Sequence, residues 1–127
     1  MKNNEILDQS FDFALNIIEL AKFMMNKKEY VISNQILRSG ASVGANVTEA
    51  QAAQSTKDFI AKLSIASKES RETASKESRE TNYWLRLLDK SGYLSDYTNQ
   101  RILFDQSESI IKLLTAIIKS TKGKIKN

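Results

Sequence analysis

Apolar residues recur at intervals of three and four along nearly the whole chain, and this pattern decides the class of fold before any motif is sought. Leu7, Phe11, Ala14, Ile18, Ala21 and Met25 are spaced 4, 3, 4, 3, 4, and Ile6, Leu15, Ile17 and Met24 widen the stripe. Such spacing returns to one face of a helix. A stripe this wide suits a bundle helix touching two neighbours. It predicts a helix from about Glu5 to Met25, followed by a polar connection at Asn26, Lys27 and Lys28.

The second stretch places Ile36, Gly40, Val43, Val47, Ala50 and Gln54 in line, flanked by Ile32 and Leu37. Ser55, Thr56 and Asp58 offer a cap for a third helix, whose seam begins at Phe59, Leu63 and Ala66. Ser91-Gly92 should stop it near Lys90, with Tyr93 and Leu94 folding back over the last turn. Ser95 or Asp96 is expected to cap a fourth helix with Leu103, Ile110, Leu114 and Ile117 inward and Ile111, Leu113 and Ile118 beside them. The chain has no Pro to interrupt a helix and no alternating segment that would make a strand. The expected fold is an all-α, antiparallel up-down-up-down four-helix bundle. It forms one domain over residues 1–127, with a flexible basic tail from about residue 120.

Gly40 and Gly44 lie one turn apart in QILRSGASVGANVTEAQ, each costing about 1 kcal/mol of helix propensity relative to Ala. Ala41, Ser42 and Ala45 keep the same region small. No strand precedes the glycines, as a phosphate cradle would need, so a smooth face for a close helix neighbour is the better reading.

Residues 66–73 read ASKESRET, and residues 74–81 repeat them. Removing one copy in thought aligns Phe59, Leu63, Ala66, Ser70, Thr73, Leu85 and Leu88 at unbroken 4, 3 spacing. Eight extra residues rotate the downstream part of the helix by about 80° and lengthen it by about 12 Å. Slippage during replication, engineering or an error in the record would each produce such a tandem copy. Either copy can occupy the original site, with the surplus displaced toward Thr56, toward Ser91 or out as a loop. Simple tolerance of the insertion, without a switch, is the plainer alternative.

The chemistry is bounded by absences. The 127 residues contain no Cys and no His, which excludes disulfides, thiolate nucleophiles, imidazole bases and the Glu-x-x-His sites of dimetal bundles. Glu69 with Glu72 and Glu77 with Glu80 are carboxylate pairs, but they are interspersed with Lys68, Arg71, Lys76 and Arg79 and read as a solvated face. No catalytic residue, metal site or cofactor is expected. No targeting segment is visible and no apolar run reaches membrane-spanning length, so the expected compartment is the cytoplasm.

The net charge of +4 has a narrow source. Residues 1–118 balance at 15 bases against 15 acids, and Lys119, Lys122, Lys124 and Lys126 supply the excess. In an up-down bundle these lysines share one end with Lys2, Lys57 and Lys62. That patch would bind phosphate through counterion release, or serve only for solubility. Arg38, Gly40, Gly44, Asn46, Glu49 and Trp84 are candidates for helix or subunit packing, with direct RNA contact the minority reading for the polar ones.

On the residues Gln35, Ile36, Arg38, Ser39, Ser42, Val43, Asn46, Val47 and Glu49, with DFIAKLSIA at 58–66 and ETNYWLRLLDKSGYL at 80–94, the chain resembles the 23S rRNA-intervening sequence proteins. The duplicated octapeptide departs from that pattern. The resemblance implies a ring-like homopentamer without known enzymatic activity. Some members are encoded within intervening sequences of large-subunit rRNA genes. Related bundles serve as accessory proteins to the reverse transcriptases of diversity-generating retroelements, where a basic surface contacts nucleic acid. The partners implied are further copies of the chain and RNA or a reverse transcriptase; a structural or protein-interaction oligomer without a nucleic-acid role is the alternative.

Overall fold

The computed structural model describes the backbone of residues 2–55 and 60–126 and the side chains of residues 5–52 and 67–120. Its elements are α1 (Lys2–Asn26), α2 (Val31–Ser55), α3 (Ile60–Lys90) and α4 (Gln100–Lys126). No strand occurs among the described residues.

Two links use the same device. Lys28 takes a left-handed conformation at φ 65, letting its own N–H reach the Met25 carbonyl at 2.9 Å and the Glu29 N–H reach Met24 at 3.0 Å. Gly92 repeats this at φ 87, with Gly92 N–H to Asp89 at 3.1 Å and Tyr93 N–H to Leu88 at 3.1 Å. These bonds satisfy carbonyls that a helix end leaves unpaired. Glu29 then starts α2, its carboxylate accepting the N–H groups of Ile32 at 3.0 Å and Ser33 at 2.8 Å.

Ser95 and Asp96 do not cap α4. Residues 91–98 form a run of turns in which Ser95 N–H bonds Gly92 and Tyr97 N–H bonds Leu94, so Leu94 and Tyr97 bury against the bundle end. The Tyr97 ring packs on Phe23 with centroids 4.8 Å apart, and Asp96 instead pairs with Lys27. Burial of these two side chains outweighs the local capping preference of Ser95 and Asp96. Thr56, Asp58 and the side chain of Ser55, expected to cap α3, and the side chains of Phe59, Leu63 and Ala66, expected to begin its seam, lie outside the described residues.

Around the bundle, α2 packs between α1 and α3, and α4 packs between α3 and α1. Ile17 lies against Gly40 and Ser10 against Gly44; Ser39 meets Thr81 and Ala50 meets Ser67; Gln9 meets Ser109 and Asn16 meets Gln106. In each pair of helices the numbers rise on one as they fall on the other. Phe13, Ile17, Leu20, Ile36, Val43, Leu85, Leu88, Leu103 and Ile110 are fully enclosed between them. Each such side chain is worth about 1.5–3 kcal/mol relative to exposure.

The inward lines of α2, from Ile36 to Ala50, and of α4 are those expected, the side chain of Gln54 lying outside the described residues, but α1 is rotated by one residue. Its buried line is Ile6, Ser10, Phe13, Ile17, Leu20 and Met24, of which Ile6, Ile17 and Met24 are expected beside the stripe; Ala21 of the expected line is buried too, while Phe11 is 65% exposed, Leu15 49% and Ile18 38%. The expected line of Leu7, Phe11, Ala14, Ile18, Ala21 and Met25 is equally apolar, and only packing against the partners decides between them. Ser10 sits inward because its side chain is short, leaving its backbone near Gly44, and its hydroxyl donates to the Leu7 carbonyl at 3.1 Å.

Helix α3 runs straight through both octapeptides, neither looping out nor breaking. Ser67, Arg71, Ala74, Ser78, Thr81, Leu85 and Leu88 are all buried, at spacing 4, 3, 4, 3, 4, 3. The second copy therefore stays in phase with Leu85 and Leu88, and the surplus residues are displaced toward Thr56. The copies are not uniformly solvent-facing as expected: Arg71 is 6% exposed, whereas its twin Arg79 is exposed. At 31 residues, α3 is longer than α1 and α2, which have 25 each.

Candidate interaction surfaces

A cluster of polar contacts fixes α2 against the second octapeptide. Arg38 reaches Glu77 at 3.2 Å and also pairs with Glu80. Trp84 Nε1 donates to Glu80 at 3.0 Å, and its ring meets Tyr83 edge-on at 5.2 Å. One turn inward, Thr81 Oγ1 donates to Ser39 Oγ at 2.8 Å in a buried position. Across α3, Asn82 donates to Ser107 on α4 at 3.0 Å. The carboxylates Glu77 and Glu80 are thus occupied by a guanidinium, while Glu69 and Glu72 of the first copy face solvent.

The glycines sit where α1 and α2 come closest. A Cβ on Gly40 would lie 2.9 Å from Ile17 Cγ2, and one on Gly44 would lie 3.3 Å from the Ser10 carbonyl oxygen. Asn46 turns back on its own helix, donating to the Ser42 carbonyl at 2.9 Å and to Ser42 Oγ at 3.0 Å. Glu49 is exposed.

Outside that contact lies a groove of about 930 Å³ between α1 and α2. Ala14, Gly44 and Ala45 are among the small residues lining it, with Leu7 and Phe11 on one side and Thr48 on the other. Asp8, Asp12 and Glu49 also line it, and among the described residues no Lys or Arg does. Phe11, Leu15 and Ile18 extend the apolar strip along α1. The molecule's opposite charge is on the outer face of α3, where Lys76, Arg79, Arg86 and Lys90 are exposed around Tyr83 and Leu87, which are 50% and 38% exposed. At about 100° per residue these six point away from Thr81, Leu85 and Leu88, and exposed Glu72 lies on the same line one turn before Lys76. Sequence reasoning missed both surfaces. The signal for the first was present: α1 carries two adjacent apolar lines, more than one bundle helix needs.

Of the basic-end candidates, Lys119 is exposed near the end of α4. Lys57 and the side chains of Lys62, Lys122, Lys124 and Lys126 lie outside the described residues. Helix α4 itself continues to Lys126, through the segment expected as a tail. Among the described residues no group of three or more carboxylates could hold a metal ion, and no helix is long and apolar enough to cross a membrane.

Residues 2–116 match the family described as 23S rRNA-intervening sequence protein. The chain belongs to that family. Among solved structures similar to this member is a protein of unknown function from the S23 ribosomal protein family of Bacteroides thetaiotaomicron VPI-5482. It is 39% identical with a TM-score of 0.78, over 94% of this chain and 99% of that one. Among curated proteins none matches. A family relationship this close carries the bundle and leaves its biochemical role open.

Proposed function

We propose that the chain is a non-enzymatic, self-assembling helical module in which the acid-edged groove of α1 and α2 receives the basic outer face of α3 from another copy. The observation that carries this reading is the exposed strip Phe11, Leu15 and Ile18 beside the groove, apolar surface that the bundle itself leaves uncovered. Charge supports the pairing, since Asp8, Asp12 and Glu49 would meet Arg79, Arg86 and Lys90. The small floor admits a helix, and Tyr83 and Leu87 supply its apolar ridge. Because the two surfaces differ, each copy offers one to each neighbour, and closure makes a ring, of five copies as the family resemblance implies. Phe11→Asp should reduce the assembly to single chains while the far-ultraviolet circular dichroism stays helical; an unchanged mass would remove the groove from the interface.

A nucleic-acid role is the second reading, favoured by the localisation of the whole charge excess to Lys119, Lys122, Lys124 and Lys126. A ring would repeat this segment and multiply weak phosphate contacts. Filter binding to a structured RNA across a salt titration tests it, with full-length and tail-deleted chains compared. Affinity that falls with salt and with loss of the tail supports the RNA-binding accessory role. No binding at low ionic strength leaves the structural oligomer.

A further inference from the structure

The outer sides of α1 and α3 each carry a charged edge and an apolar edge. On α1, Asp12 and Glu19 lie toward α4, which Gln9 and Asn16 reach, while Leu15 and Ile18 lie toward α2, with Asp8 between the edges. On α3, Arg79 and Arg86 lie toward α4, which Asn82 reaches, while Tyr83 and Leu87 lie toward α2, with Lys76 between. None of these six charges joins an ion pair among the described residues, whereas Lys27, Arg38 and Arg101 each find a carboxylate within the chain. The spacings correspond as well. Counted from Asp8, the acids stand at 0, 4 and 11 and the apolar pair at 7 and 10; counted from Lys76, the bases stand at 0, 3 and 10 and the apolar pair at 7 and 11. A difference of one residue is about 1.5 Å along a helix.

We propose that α1 of one copy lies parallel to α3 of the next, with Asp12 on Arg79, Glu19 on Arg86, and Leu15 and Ile18 on Tyr83 and Leu87. This rests on the reading that the two faces meet, and it adds the direction and the register. Direction follows from the edges. Parallel helices bring the two α4-side edges together, so that acid meets base and apolar meets apolar. Antiparallel helices turn one edge over and set the acids against Tyr83 and Leu87. Within a chain α1 and α3 already run the same way, since both are antiparallel to α2. All copies then point in one direction, as rotation about a single axis requires. The contacts of α2 place Asp12 level with about residue 76 of its own α3, so meeting Arg79 shifts neighbouring bundles by about 5 Å, a lean of one turn or less. Asp8 falls beside Lys76, and Glu72 one turn short of it. At the other end the register carries Lys90 past the acids to Lys22, where like charges end the favourable run.

Charge exchange on the full chain tests it, with mass read by light scattering over a dilution series and helicity by circular dichroism. All the substituted side chains are exposed, so the bundle should fold in each variant. Asp12→Arg should raise the concentration at which assembly is half complete by about tenfold. Adding Arg79→Asp to that variant should recover most of the loss, and adding Arg86→Asp should not. Lys22→Glu, alone in the parent chain, should lower the half-assembly concentration, a gain that no folding defect produces. Recovery by Arg86→Asp as large as that by Arg79→Asp overturns the register, and so does a Lys22→Glu chain that assembles no more tightly than the parent. Dispersal by Phe11→Asp would in that case leave the two faces as partners in some other register. A parent chain that stays single at every concentration overturns both the register and the reading beneath it.

Discussion

Gly40 sets the distance between α1 and α2, since the Ile17 side chain occupies the space a Cβ would need. Gly40→Ala gains about 1 kcal/mol of helix propensity and meets an overpacked contact costing about 1–3 kcal/mol. The net expectation is a loss of stability in urea denaturation, and Ile17→Ala, which removes both γ carbons, should cost less in the Gly40→Ala chain than in the parent. Lys28 is the opposite case, a side chain in a backbone conformation that suits glycine. Lys28→Gly should stabilise by about 1 kcal/mol, read as a higher urea midpoint with an unchanged slope. Tyr97 ties stability to alkaline pH: burial first, and Glu19 second, raise its pKa above the ordinary value of 10.0. The folded state therefore holds the phenol proton more tightly than the unfolded chain, and the contribution is complete below the unfolded value and is lost as pH rises through the folded one. Tyr97→Phe should flatten the fall in thermal midpoint above about pH 10 relative to the parent chain. An equally steep fall in both would place the alkaline sensitivity elsewhere.

The elements differ in how plainly their sequences announce their packing. Helices α2 and α4 each have one apolar line, Ile36 to Ala50 and Leu103 to Ile117, and the line that spacing indicates is the line that is buried. Helix α1 has two, one residue apart, so spacing alone could not choose between Phe11 and Phe13. The choice belongs to Gly44, which lies against the backbone of Ser10. The link before α4 was illegible for a related reason, because the gain from burying Leu94 and Tyr97 is tertiary and leaves no local mark. In α3 the duplication was legible letter by letter, but the occupied register depends on contacts with Arg38 and Ser39 that no reading of α3 alone contains. Deleting residues 66–73 yields the same polypeptide as deleting residues 74–81, and it restores one continuous apolar line from Phe59 to the leucine pair. Calorimetry should show a higher thermal midpoint for the deleted chain, because Ser67 and Arg71 no longer have to occupy the buried line. A lower midpoint would mean that the added turns of α3 contribute packing of their own.

At the scale of the whole molecule, the uncovered surfaces carry the functional argument. Four helices enclose one core, yet α1 still exposes Phe11, Leu15 and Ile18 beside an acid-edged groove, while α3 turns four bases, a tyrosine and a leucine outward. Complementary surfaces of this kind on one chain favour assembly with itself. The basic end identified from charge arithmetic would then be multiplied around the assembly, so a nucleic-acid role and self-assembly would reinforce one another. The octapeptide insertion lies on the same helix as the basic face, and the second copy contributes Lys76 and Arg79 to it. Light scattering coupled to size exclusion, run on the full chain at low and at high salt, tests the central claim most directly. The account predicts a mass several times 14.4 kDa at low salt that shifts toward smaller species as salt screens the groove; a species of 14.4 kDa under both conditions at micromolar concentration would contradict it.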